Sequence, residues 1–188
     1  MTASPFAPFA PPITAPRLPD SDVAYAAHDT PVGRLLLASA AGRLVLCAYA
    51  ADPAAEDAHL TRVAGAVSPR ILRRSAPLDE ARRQLDDYLA GQRHTFDLTT
   101  DLALARPFQA NVLRELTHTA YGHRTTYGAL AAAIDHPGAA RAVGTALAGN
   151  PLCIVLPCHR VVPAAGGLGG YAGGSAAKAA LLALESRP

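Results

Sequence analysis

The sequence contains no uninterrupted apolar run approaching the ~18 residues of a membrane-spanning helix, although half of its 188 residues are hydrophobic. No transmembrane segment is expected. Nor is there a positively charged start followed by an apolar stretch. The first nineteen residues instead carry six prolines (Pro5, Pro8, Pro11, Pro12, Pro16, Pro19), which predicts a disordered tail over residues 1–20 rather than a secretory signal. Cysteine is scarce: Cys47, Cys153 and Cys158 cannot all pair with one another. Without a secretion signal, they are expected to be free thiols in a reducing compartment, which is the cytoplasm, beside the nucleoid if the source is prokaryotic. Paired spacings such as Cys-x-x-Cys are missing, so no structural or catalytic metal is expected.

Net charge is also small, at +2, but it is unevenly spread. Residues 104–188 hold seven basic and three acidic side chains, an excess of four, while the remainder is at −2. A basic C-terminal half is compatible with a polyanionic partner. The length suffices for one ordinary domain or two small ones that bury a core unaided.

Between the turn signals Thr30-Pro31 and Ala41-Gly42, residues Val23 to Ala27, Gly33 to Ser39 and Arg43 to Tyr49 read as strands of a β-meander. Leu78, Arg82, Leu85 and Leu89 recur at helical spacing ahead of Gly91, which predicts one face of a helix. Nothing in residues 21–98 gathers polar groups into a site, so this half is assigned a structural role. From Pro107 onward the pattern becomes helical. Phe108, Val112, Leu113 and Leu116 mark one face, and Tyr127, Leu130, Ala131 and Ile134 a second. A third helix is expected from about Gly138 to Gly149, with Ala142, Val143, Ala146 and Leu147 inward. The tight Asp135-His136-Pro137-Gly138 connection before it fits a helix-turn-helix. The fold class is thus α/β (α+β): a β-meander with helices, then residues 104–188 as a mostly helical domain.

Chemistry concentrates beyond that turn. Cys153-Ile154-Val155-Leu156 reads as a short apolar strand that delivers Cys158, followed directly by His159 and Arg160. A thiol is nucleophilic as thiolate; an adjacent imidazole can accept its proton, and a cation favours the anion. Because successive side chains on a strand face opposite ways, Cys158 and His159 cooperate only if the chain bends at Pro157 or just after Cys158. Cys47 and Cys153 read as inert core residues. Glu185, at the end of a last helix over Ser175 to Leu184, is placed to orient His159.

Arg106-Pro107-Phe108-Gln109, Thr126-Tyr127-Gly128, Ala140-Arg141-Ala142-Val143-Gly144, Gly149-Asn150-Pro151, Pro157-Cys158-His159-Arg160-Val161-Val162, Gly170-Tyr171-Ala172-Gly173-Gly174 and Leu181 to Glu185 occur in that order. Together they resemble the O6-alkylguanine-DNA alkyltransferases. More loosely, Thr30-Pro31-Val32-Gly33 resembles the opening of that family's N-terminal domain. The resemblance implies a ribonuclease-H-like fold for residues 21–98 and a C-terminal domain that takes an alkyl group from guanine O6, and from thymine O4, in double-stranded DNA. The transfer is irreversible, needs no cofactor and uses each monomeric molecule once.

Position by position, the resemblance implies Cys158 as acceptor, His159 activating it through a water, and Glu185 holding that imidazole. It implies Tyr127 as a proton donor toward guanine N3 and Asn150 as a brace of the active-site turn. Arg141 would fill the space of the extruded base, with Ala139, Ala140 and Gly144 letting its helix approach a minor groove. Val161, Tyr171, Ala172 and Lys178 would surround the substrate pocket. Ala172 stands where many members have serine, which bears on pocket polarity and on preference among bulky alkyl groups. Two rival readings are a non-catalytic lesion-binding module and a cysteine hydrolase. Retention of Cys158, His159, Tyr127 and Glu185 speaks against the first; the helix-turn-helix and Arg141 are unexplained by the second.

Overall fold

In the computed structural model, residues 22–187 are described; the tail expected over residues 1–20 lies outside them. Strands β1 (Val23–Thr30), β2 (Gly33–Ala40) and β3 (Arg43–Tyr49) form the expected antiparallel meander. A short β4 (Ile71–Arg73), absent from the sequence reading, adds in parallel beside β1, giving the order β3-β2-β1-β4. The parallel pairing requires a crossover, which is supplied by helix α1 (Pro53–Ala66). Asp52 starts α1 by accepting a hydrogen bond from the Ala55 amide, with Pro53 at the first helical position.

The continuous run Leu35-Leu36-Leu37-Ala38 on β2 is apolar because both faces of the sheet are covered. Leu35 and Leu37 point into one core, whereas Leu36 and Ala38 point into a second with Val63 of α1. The first core continues across residues 98–104 into the C-terminal helices, so both halves share it. Helix α2 (Asp79–Leu89) buries Ala81, Gln84, Leu85 and Tyr88 in that core. The face expected through Arg82 and Leu89 is therefore rotated, since both are only partly buried. A stripe wide enough to seat a helix in a core takes neighbours on either side of Leu85, including a tyrosine whose hydroxyl has a buried partner.

Helix α3 (Pro107–Leu116) buries Val112, Leu113 and Leu116 as predicted. The helix-turn-helix comprises α4 (Tyr127–Ala133) and α5 (Ala140–Ala148), joined by a turn in which Asp135 and Gly138 have φ of 59° and 89°. Thr126 caps α4 through the Ala129 amide at 3.1 Å. On α5, Val143, Ala146 and Leu147 are buried, but Ala142 is exposed and faces a groove beside Arg62. At that position the helix turns its outer side to solvent. Helix α6 (Gly174–Glu185) closes the domain, and the two-residue strands β5 (Thr125–Thr126) and β6 (Val161–Val162) pair in parallel. Among the described residues no helix is long and apolar enough to cross a membrane.

Leu113 is fully buried in the core shared by both halves. Leu113→Ala should therefore destabilise the whole chain by about 2–5 kcal/mol, read as a lowered urea midpoint with unchanged slope.

Candidate active site

The strand expected at Cys153–Leu156 is not one. Ile154 adopts φ 71°, Leu152 bridges to Cys47 at the edge of β3, and Cys153 bridges back to Leu156. The segment is a compact reversal, because Asn150 satisfies its backbone from within: Oδ1 accepts from the Leu152 amide at 2.9 Å and Nδ2 donates to the Leu156 carbonyl at 3.0 Å. The bend needed around Pro157 is present as a 3-10 turn over Cys158–Arg160, and the short strand of this region, β6, follows the cysteine rather than preceding it. Nδ2 of Asn150 also lies 3.1 Å from Cys158 Sγ. The Asn150 side chain thus holds the turn and touches the sulfur that the turn presents.

Behind the turn, Glu185 is buried and gathers four donors. His159 Nε2 lies 2.5 Å from Oε1, Arg160 Nε 2.9 Å from Oε2, the Gly122 amide 3.1 Å from Oε2, and the Tyr88 hydroxyl also donates to Oε1. Burial acts to raise this carboxyl, but the hydrogen bonds from His159, Arg160 and Tyr88 outweigh it and hold it down at about 2. A carboxylate brings no proton, so His159 Nε2 must carry one. Burial lowers the imidazole from its ordinary value against the opposing pull of Glu185, and His159 is therefore neutral, with its lone pair on Nδ1. That nitrogen is buried and has no hydrogen-bond partner among the described residues.

Cys158 lines a cavity of about 320 Å³ with Tyr127, Gly144, Leu147, Ala148, Gly170, Tyr171 and Ala172. A hydrogen bond from Cys153 lowers its thiol, burial opposes that, and Asn150 and the Lys178 charge add to the lowering. Burial and the Cys158 charge raise the phenol of Tyr127, keeping it protonated as a donor. Arg141, Ala139, Ala140 and Gly144 line the start of α5; Arg141 is exposed, and Gly144, three residues on, lies in the cavity wall.

The predicted residues thus divide. Tyr127, Cys158, Tyr171 and Ala172 meet in the cavity, and Asn150, His159 and Glu185 stand behind it. Val161 and Lys178 do not line it. Both are fully buried, with Lys178 Nζ donating to the Val161 carbonyl at 2.6 Å and to Gly170 O at 3.4 Å, so the ammonium braces the wall from behind. The cation acting on the thiol is this Lys178. Arg160, which the sequence offered, is tied to Glu185 and to Thr119 O at 2.6 Å.

The structural role assigned to residues 21–98 is likewise incomplete. Tyr88 bonds the central carboxylate, and Tyr49 lies 3.4 Å, hydroxyl to hydroxyl, from Tyr171. Tyr88 could have been found from its place three residues after Leu85, where a buried phenol implies a partner. Tyr49, at the end of β3, carries no such signal.

A helix-turn-helix pair beside a cavity bordered by a buried cysteine defines the class. The profile described as 6-O-methylguanine DNA methyltransferase, DNA binding domain, matches residues 107–187, and that family's ribonuclease-like domain matches residues 23–102. A methylated-DNA--protein-cysteine methyltransferase of Mycolicibacterium paratuberculosis is 50% identical over 104 residues, which are 55% of this chain and 62% of that protein. The protein of the same description from Mycobacterium bovis is 39% identical over 164 residues, 86% of this chain and 91% of its own. The crystal structure of Mycobacterium tuberculosis OGT in complex with DNA superposes with a TM-score of 0.75 at 36% identity, covering 87% of this chain and 92% of that one. The O6-methylguanine methyltransferase structure from the same organism gives 0.73 at 36% identity, with 87% and 93% covered. The chain belongs to the 6-O-methylguanine DNA methyltransferase family.

Glu185 yields two expectations. Tyr88→Phe removes one donor from a buried carboxylate and should cost about 1.5–3 kcal/mol in urea unfolding. An unperturbed glutamate titrates at about 4.3, so the depressed Glu185 contributes stability that is complete above that pH and is lost as pH falls toward about 2. Urea midpoints measured between pH 5 and 2 should decline less steeply in Glu185→Gln, which starts less stable by about 3–5 kcal/mol for breaking a buried pair; an equal slope would contradict the assignment.

Proposed function

We propose that this protein repairs alkylated DNA by taking a methyl or larger alkyl group from guanine O6, and from thymine O4, onto Cys158. The observation that carries this reading is the Cys158 sulfur in the wall of a cavity of about 320 Å³, with the Tyr127 phenol beside it and a neutral His159 fixed by Glu185 behind it. DNA is the partner. The O6 substituent inside a duplex cannot be approached from behind by a sulfur, so the nucleotide must leave the stack. Arg141, exposed at the start of α5, would take its place from the minor-groove side. Ala139, Ala140 and Gly144 present little bulk to the groove.

In the reaction the Cys158 thiol passes its proton to His159 Nδ1 through a water, and the sulfur attacks the alkyl carbon. The S–C bond forms as the C–O6 bond breaks, with the electron pair left on the base. Tyr127 supplies a proton toward N3, stabilising that charge as it develops. Proton exchange with solvent restores His159 and Tyr127, but the thioether on Cys158 cannot be restored. Each molecule acts once, as a monomer, in the cytoplasm.

Incubation with a duplex containing one O6-methylguanine should add a single methyl to the peptide bearing Cys158, saturating at one per molecule, as read by intact-protein mass and peptide mapping. Cys158→Ala should gain none; label on that variant would sink the assignment. Arg141→Ala should lose more affinity for the lesion duplex than for undamaged duplex at fixed salt, and equal losses would show that it contacts only backbone.

A further inference from the structure

Two of the three cysteines take no part in the transfer. Cys47 and Cys153 are at most 1% exposed, and both thiols are driven up, Cys47 by burial and Cys153 by the neighbouring Cys158 and by burial. Cys153, however, is not simply a core residue. The left-handed Ile154 and the hydrogen bonds Val155 N to Cys153 O (2.9 Å), Leu156 N to Leu152 O (2.8 Å) and Cys158 N to Leu156 O (2.8 Å) fold residues 152–158 back on themselves. Both sulfurs consequently converge on Asn150. Cys158 Sγ lies 3.1 Å from its Nδ2 and Cys153 Sγ 3.5 Å from its carbonyl oxygen. One residue thus touches both sulfurs, on either side of a backbone that has turned back on itself. Only Cys158 borders the cavity. A small oxidant therefore meets Cys158 first, while Cys153 stands on its protein side, five residues away along a reversed chain.

We propose that Cys153 is a resolving thiol for Cys158: a peroxide that oxidises the acceptor sulfur is answered by a Cys153–Cys158 disulfide, which a thiol reductant reopens. The Cys158 thiolate attacks the peroxide oxygen, giving Cys158 sulfenic acid as the O–O bond breaks and hydroxide leaves. The Cys153 sulfur then displaces the sulfenic oxygen, its proton going to that oxygen, so that the disulfide and one water are formed. Two thiols are oxidised and one peroxide is reduced to water and hydroxide or alcohol. Two sulfurs that converge on Asn150 from a reversed chain are placed to close to the ~2 Å of a disulfide. Without Cys153, the sulfenic acid is open to further oxidation to the irreversible sulfinic acid. A protein whose acceptor is used once would in this way keep unspent molecules through oxidative stress. The inference depends on Cys158 being the thiol open to the cavity and not on what alkyl donor enters.

Because Arg141 and Arg160 bracket both cysteines, trypsin releases them together in residues 142–160, separate from Cys47. The wild-type protein treated with hydrogen peroxide and mapped without reduction should show this peptide short of two hydrogens, closed to iodoacetamide, and reopened by dithiothreitol. Methyl acceptance, normalised to the untreated protein, should be lost on treatment and regained on reduction. In Cys153→Ala and Cys153→Ser the same treatment should carry Cys158 to a gain of two oxygens, with no recovery. Wild-type Cys158 that gains two oxygens while Cys153 stays open to iodoacetamide, a disulfide to Cys47 or between molecules, or no oxidation at all would overturn the proposal. None of these readings of the peptide uses DNA, so failure here and failure of the repair assignment are separately visible.

Discussion

One buried carboxylate fixes the geometry on which the site depends. Glu185 ends the last helix, yet its two oxygens draw Tyr88 from α2, the Gly122 amide ahead of β5, and His159 and Arg160 from the turn that carries the acceptor. An ionised group at that depth would be expensive without partners, and its four partners arrive from three separate stretches of chain. The same contacts that make the charge tolerable tie the N-terminal domain to the C-terminal one. They also settle the tautomer of His159: a carboxylate that only accepts compels Nε2 to donate and leaves Nδ1 as the base.

A second centre, Asn150, does for the backbone what Glu185 does for charge. The reversal from Leu152 to Leu156 leaves amide and carbonyl groups that no helix or sheet can pair, and the Asn150 side chain satisfies one of each while touching the nucleophile. Alanine there would leave the buried Leu152 amide unmatched, take one of two donors from the Leu156 carbonyl and free the sulfur at once. The cavity is supported in the same way from outside its lining. Lys178 holds the carbonyls of Val161 and Gly170, and Tyr49 packs so closely on Gly173 that a Cβ there would fall 2.4 Å from its ring. Glycine at that position is thus a matter of packing, since its φ of −84° is open to any residue.

What the sequence discloses and what it hides divide along the range of the interactions. The meander, α3 and the helical pair follow from local signals: turn residues, three-and-four spacing, and a Gly138 that accepts a left-handed φ. Cys158, His159, Asn150 and Glu185 were legible as a motif with a partner at the end of the chain. Three things were not. The apolar Cys153–Leu156 run looks like a strand because hydrophobicity alone cannot separate a strand from a buried reversal; the deciding interaction comes from Asn150. Lys178 looks like a pocket cation because its carbonyl partners are far along the chain. Tyr88 lies in a half that lacked any visible cluster of polar groups, since its partner, Glu185, is 97 residues away.

Glu185 keeps His159 neutral, with its proton on Nε2 and its lone pair on Nδ1. Nitrogen NMR of the imidazole, recorded across a pH series on the unalkylated protein, reads this directly. A single neutral tautomer protonated at Nε2 is expected at neutral pH, titrating below the ~6.5 of a free histidine. An imidazolium at neutral pH, or a proton on Nδ1, would contradict it.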